Sequence, residues 1–191
     1  IWVANSQGNY AIIASVSSYG MGLTAYPTTE KRAVMCVRSA SGGDAVDLSP
    51  NTAPITYADQ STVMAAGLMW RKCAIGQDGA NCDARGAAPE YGARKYAYCL
   101  GSGNCGTGGF LNGTGTSPAF QACSDLNTIS YAGFTNWRVP RLSEFQALVD
   151  TNYPYRINTN LFPNFLHYGL GYNVFWSADL AISDQGISVS Y

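Results

Sequence analysis

The sequence predicts an α+β fold of two short helices, twisted antiparallel sheets and long disulfide-stapled loops. Three observations carry this. In Asn136–Asp150, an extended Asn-Trp-Arg-Val-Pro run precedes Leu142, Phe145, Leu148 and Val149, whose three- and four-residue spacing makes one apolar helical face. Arg32–Arg38 alternates as a strand does, with Ala33, Met35 and Val37 on one face and Arg32, Val34, Cys36 and Arg38 on the other. Four of the six cysteines lie in a glycine-rich stretch, 73–117, where disulfides stand in for a missing core.

Composition bounds the function. Charged residues are 12% and the net charge is -1, which excludes a strongly basic nucleic-acid footprint. Aromatics at 13% and apolar residues at 47% argue against a disordered tail. At 191 residues the chain can bury one sizeable core. No apolar run reaches about 18 residues, so no membrane span is expected. No basic segment precedes an apolar one at the N-terminus, so a signal peptide is expected to be removed or to lie outside this chain. Six cysteines with few lysines point to three disulfides in an oxidising compartment, and their fifteen pairings stay open at this level. Zinc is disfavoured, since no Cys-x-x-Cys occurs and the single histidine, His167, is far from the cysteines.

In chain order, Trp2–Asn5 is short and extended, and Tyr10–Val16 is β-rich around Ile12 and Ile13. Ser17–Gly22 reads as a loop with two glycines, and Arg32–Arg38 as a strand. Ser39–Pro54 is polar and reads as a linker or surface loop. Ile55–Tyr57, Thr62–Met64 and Gly67–Trp70 form a second β region. Ser117 is a natural N-cap with Pro118 at the first helical position, and Phe120, Cys123, Leu126 and Asn127 continue at helical spacing. The expected helices are about 118–128 and about 141–150, the second opened by Pro140 with Glu144 near its positive end. Trp70, Trp137 and Trp176 are candidate core residues. The remainder is aromatic and loop-like, ending on Val174–Ser177 and an alternating Gly186–Tyr191.

These motifs carry a resemblance. In order they are Gly67-Leu68-Met69-Trp70, Cys73 to Cys82 with Gly76-Gln77 between, Cys123-Ser124-Asp125-Leu126, Tyr131 through Pro140, and Phe175-Trp176-Ser177. From about Thr56 to Ser177 the chain resembles the C-terminal domain of the Legionella collagen-like adhesin. That resemblance implies a C-type-lectin-like fold, with two helices flanking short twisted sheets, at an extracellular or bacterial surface location. One departure concerns the turn before the Gly-Leu-Met-Trp strand: the family has a polar turn with an aspartate, and this chain has Met64-Ala65-Ala66.

The family also closes on a Trp-x-Val-x-Asn strand pair and a Val-Arg-Cys-Val-Arg-like strand. Here the matching segments, Trp2–Asn5 and Val34–Arg38, lie at the beginning. The resemblance thus divides the chain into closing strands at 1–38, a linker at 39–54 and a lectin-like body at 55–191. Trp2, Val3, Ile12, Ile13, Val34, Met35, Cys36 and Val37 become candidate assembly residues. The chain is a self-closing circular permutant, one repeat of a tandem array, or a fibre subunit whose first strands complete a neighbour. A fourth reading makes residues 1–38 a plain extension. Within this frame the expected disulfides are Cys73–Cys82, Cys99–Cys105 and Cys36–Cys123, the last between chains if the strands dock on a neighbour.

The expected function is therefore a structural subunit or repeat of an extracellular bacterial fibre or adhesin, such as a fimbrium, with identical subunits as head-to-tail partners. The alternative is a monomeric module that binds glycans or host surface proteins, in which loop Tyr and Trp rings stack on sugars. No enzyme is expected. His167 lacks a nucleophile partner, and Asp125, Glu144 and Asp150 each have a capping or surface explanation. The related formylglycine-generating fold suggests an oxidase, but that chemistry needs a reactive cysteine pair. Gly101–Gly106 lacks the Lys-Ser/Thr of a phosphate loop. No cofactor is expected; Asp78–Asp83 offers oxygen atoms for calcium without the EF-hand pattern and reads as a turn. Asn112-Gly113-Thr114 matches a glycosylation acceptor, a short pattern common by chance.

Overall fold

Residues 33–38 organise the molecule, because their alternating side chains are buried on both faces. The computed structural model describes residues 10–17, 20–27, 30–39, 62–87, 91–98, 117–153, 157–164 and 173–180, with backbone alone for 10–17, 20–27, 173–174 and 180. Trp2, Val3, Cys99, Cys105, His167, the Gly101–Gly106 stretch and the Asn112 acceptor lie outside the described residues, as do 40–61 and 181–191.

The strands are β1 (Tyr10–Ser17), β2 (Gly20–Pro27), β3 (Lys31–Ala33), β4 (Val37–Ser39), β5 (Thr62–Ala65), β6 (Leu68–Arg71), β7 (Lys95–Ala97) and β8 (Asn173–Leu180). The helices are α1 (Pro118–Thr128) and α2 (Leu142–Ala147), with a 3₁₀ turn at Tyr131–Gly133. One sheet runs β2-β1-β8-β3-β7 and the other β4-β6-β5. All pairs are antiparallel except β3 with β8, which meet in parallel at Ala33 and Phe175. The architecture is α+β.

The strands divide two apolar clusters. Val34 and Cys36 face the cluster under α1, with Phe120, Cys123, Leu126, Trp137 and Trp176. Ala33, Met35 and Val37 face the cluster under α2, with Trp70, Phe145, Phe162 and Phe175. The same alternation sends Met69 and Trp70, and Phe175 and Trp176, to opposite clusters. Each core tryptophan also satisfies its indole N–H: Trp70 donates to Ala65 O (3.1 Å), Trp137 to Tyr131 O (3.0 Å) and Trp176 to Tyr96 O (2.7 Å). Tyr98 packs edge-on to Phe120 and Trp176 and donates to Ala178 O. Burial, reinforced by the Asp179 charge, holds its phenol far above the ordinary range and therefore neutral.

Several local expectations change. The ladder of β1 with β2 runs to Ser17 and Gly20, so most of the expected Ser17–Gly22 loop is strand. The expected strand at 32–38 breaks into β3 and β4, because residues 34–36 leave the first sheet to reach the second. Cys36 O then accepts from Arg71 N, and Val34 O from Ile75 N. Ser39, assigned to the linker, ends β4 opposite Leu68. Ser117 caps α1 by position alone; its hydroxyl is buried without a partner. Helix α2 starts at Leu142, one residue after the expected start, with Arg141 as its N-cap, and the Pro140 carbonyl before it accepts from Ala178 N. It also ends early: Asp150 Oδ1 accepts from Asn152 N, which makes a turn, and Val149 is exposed rather than packed.

Candidate assembly site

Segment 30–39 is the candidate site, and each of its neighbours comes from the body that follows. On one side of β4, Val37, Arg38 and Ser39 pair with Trp70, Met69 and Leu68. On the other, Val37 exchanges both backbone hydrogen bonds with Arg138, each 2.9 Å. Val37 is thus bonded on both sides, although β4 is the end strand of its three-stranded sheet. Lys31–Ala33 likewise lies between β7 and β8.

The side chains repeat this. Ala33 through Arg38 are all buried. Arg38, only 5% exposed, donates Nε–H to Asn136 Oδ1 (2.6 Å) and lies 3.8 Å from the Phe134 ring centroid. Cys36 and Cys123 form a disulfide in which both residues are 0% exposed. It joins the segment to α1, as the resemblance implied. Of the other assembly candidates, Ile12 and Ile13 lie in β1, beside β2 and β8.

The receiving surface is built locally. Asn127, on α1, clamps Trp137: its Nδ2 donates to Trp137 O (2.9 Å) and its Oδ1 accepts from Trp137 N (2.6 Å). That fixes the run through Arg138 against which β4 pairs. Arg138 is held in turn by a bidentate ion pair with the buried Glu144, whose Oε2 also accepts from Arg141 N at the start of α2. Asp179, from β8, accepts from Leu142 N at the same helix end. Arg71 reaches into the following loop and donates to the carbonyls of Cys73, Ala74 and Gln77. The Cys73–Cys82 disulfide closes that loop. Gly76 and Gly92 allow its close approach to the next turn: both have positive φ, and a Cβ on Gly92 would lie 1.9 Å from Arg85 O.

The candidate acids sit apart and are occupied. Asp125 accepts from Gln121, Glu144 pairs with Arg138, and Asp150 makes its turn with Asn152. Asp78, considered for calcium, accepts from Gly79 N and pairs with Arg85 at 3.0 Å. Those two contacts, led by the Gly79 hydrogen bond, lower its pKa. Among the described residues no group of three His, Cys, Asp or Glu is placed to hold a metal. Trp70, Trp137 and Trp176 are buried and cannot offer a face to a sugar, while Tyr91, Tyr131 and Tyr153 are partly exposed. The sequence pointed to residues 34–37 and gave Arg38 and Asn127 only as members of a strand and a helix; it assigned no side-chain role to Arg38, Asn127 or Asn136, and the Arg38–Asn136 contact joins residues far apart in the chain.

Fold and site together define a disulfide-stapled α+β module whose interior strand is supplied from upstream of its body. The chain belongs to the Lcl C-terminal domain family, which it matches over residues 56–189. Membership places it with an adhesin-related domain family. No curated protein and no solved structure matches it significantly. Among the described residues no helix is long and apolar enough to cross a membrane, and this is compatible with a secreted or surface protein.

Proposed function

We propose that this chain is a structural subunit of an extracellular bacterial fibre or adhesin, with a C-type-lectin-like body, joined head to tail by strand complementation. One observation carries the reading. The family match begins at residue 56, yet the interior strand comes from 30–39, outside the match. A body that needs an upstream strand can take it from its own chain or from a neighbour, through the same contacts. Residues 40–61 join segment to body and reach roughly 70 Å at full extension. Its partners are identical subunits, and its role is mechanical rather than catalytic, in keeping with acids committed to Arg138, Gln121 and backbone turns.

The test is electron microscopy of the native, unreduced material with a non-reducing gel. Filaments, and a covalent ladder that collapses on reduction, are the expected result. A covalent ladder that survives reduction favours tandem repeats in one polypeptide. Monomers at all concentrations sink the fibre reading. A second reading, a monomeric module for glycans or host proteins, is supported by the partly exposed rings of Tyr91, Tyr131 and Tyr153. Glycan-array binding by such monomers would bring it forward.

A further inference from the structure

Cys36–Cys123 lies across the seam that strand exchange has to open. Cys36 sits on the interior segment and Cys123 on α1 of the receiving body, while both sulfurs of Cys73–Cys82 belong to the body. The two bonds therefore respond differently to exchange. Moving the segment to another body leaves Cys73–Cys82 untouched but requires Cys36 and Cys123 to be unbonded.

We propose that closure of Cys36–Cys123 is the step that commits the segment, so that the body it occupies at oxidation is the body it keeps. The inference rests on the strand-complementation reading and specifies its control. Before closure, cis and trans docking bury the same Val34, Met35 and Val37 side chains and make the same bonds to Trp70 and Arg138. The choice is then set by the concentration of neighbours against the effective concentration of the tethered segment. Docking brings the two thiols together in either case. They then pass two electrons and two protons to a small disulfide oxidant, which leaves as two thiols. Once closed, the bond is shielded: neither cysteine is exposed, so a solvent thiol reaches it only after the segment has left. Assembly by strand exchange thus has to precede or accompany oxidation.

Isotope mixing tests this. Full-length chains, one batch labelled with ¹⁵N and one unlabelled, are reduced with dithiothreitol in urea, combined, refolded at increasing concentration and reoxidised with oxidised glutathione. A second sample is oxidised in each batch before mixing and then held in native buffer. Peptide mapping reads the mass of the Cys36–Cys123 pair. A mixed-mass pair that grows with concentration in the first sample and is absent from the second is the expected result. Size-exclusion chromatography in the second sample is expected to show no exchange. A Cys36→Ala/Cys123→Ala variant, checked for folding by near-ultraviolet circular dichroism, is expected to exchange freely, and a Cys73→Ala/Cys82→Ala variant to stay locked. Non-covalent exchange by oxidised parent chains as fast as by the Cys36→Ala/Cys123→Ala variant overturns the commitment step while leaving the fibre reading intact. Absence of mixed pairs and of exchange in every sample overturns both.

Discussion

Ala66 has φ 50° and Gly67 φ 70°, the pair of left-handed angles of a tight β5–β6 hairpin turn. Asn, Asp and Gly suit such a turn, and Ala does not. The polar turn expected from the family therefore has a backbone reason, and its loss here leaves strain at one residue. Ala66→Asn is expected to raise stability by about 0.5–1 kcal/mol in urea unfolding; an unchanged or lower midpoint counts against the assigned turn. Glu144 is the opposite case, a buried carboxylate in a bidentate pair with Arg138. Glu144→Gln leaves Arg138 uncompensated beside β4, with an expected loss of about 2–4 kcal/mol by the same measurement. Asp78 is exposed, so its ion pair with Arg85 contributes little. Its folded pKa lies below the ordinary value of 3.8, so its contribution is present above that value and lost as pH falls through the folded pKa. The small stability gap between the parent and Asp78→Asn is expected to close on acidification; a gap that widens contradicts the assignment.

At the level of elements, the segment carrying β3 and β4 matters more than either helix. Helix α2 spans only Leu142–Ala147 and holds its place through Phe145, Glu144 and the Asp179 cap. Helices this short are marginal alone. The segment, by contrast, is bonded on both edges and buried on both faces. Removing residues 1–39 takes β1, β2 and the interior strand β3 out of the first sheet and the end strand β4 out of the second. The truncated body is expected to lose its cooperative unfolding transition, and a peptide of residues 10–39, added under oxidising conditions, to restore it. A sharp transition in the truncated body alone would show that the segment is an addition rather than part of the core. In the sequence, the alternation from Ala33 to Val37 identified the two buried faces correctly but implied one unbroken strand. The chain was silent on the break at 34–36, because that break exists only to carry the segment from one sheet to the other.

Across the whole molecule, the two described disulfides constrain the unfolded chain very differently. Cys36 and Cys123 are 87 residues apart, Cys73 and Cys82 only 9. Chain-entropy arguments assign about 4–5 kcal/mol to the first and about 2–3 to the second. Thermal unfolding of Cys36→Ala/Cys123→Ala and Cys73→Ala/Cys82→Ala is expected to rank them in that order. A larger loss from the second pair would shift attention to the Arg71-centred loop, whose carbonyls the Cys73–Cys82 bond holds in place.

Periodicity and composition were enough to determine the α+β class, helix α1 and a tryptophan-rich interior. Those properties depend on neighbours within a turn or a strand, and local spacing records them. The ordered motifs from Gly67 to Ser177 were enough to determine the family. Only the tertiary structure decided that both faces of residues 33–38 are buried, that Arg38 meets Asn136 and Phe134, and that the Cys36–Cys123 bond is fully buried. These contacts join residues dozens of positions apart, where a sequence pattern records only that a side chain is apolar, charged or a thiol. Which partner it meets is set by how the sheets pack around the interior strand.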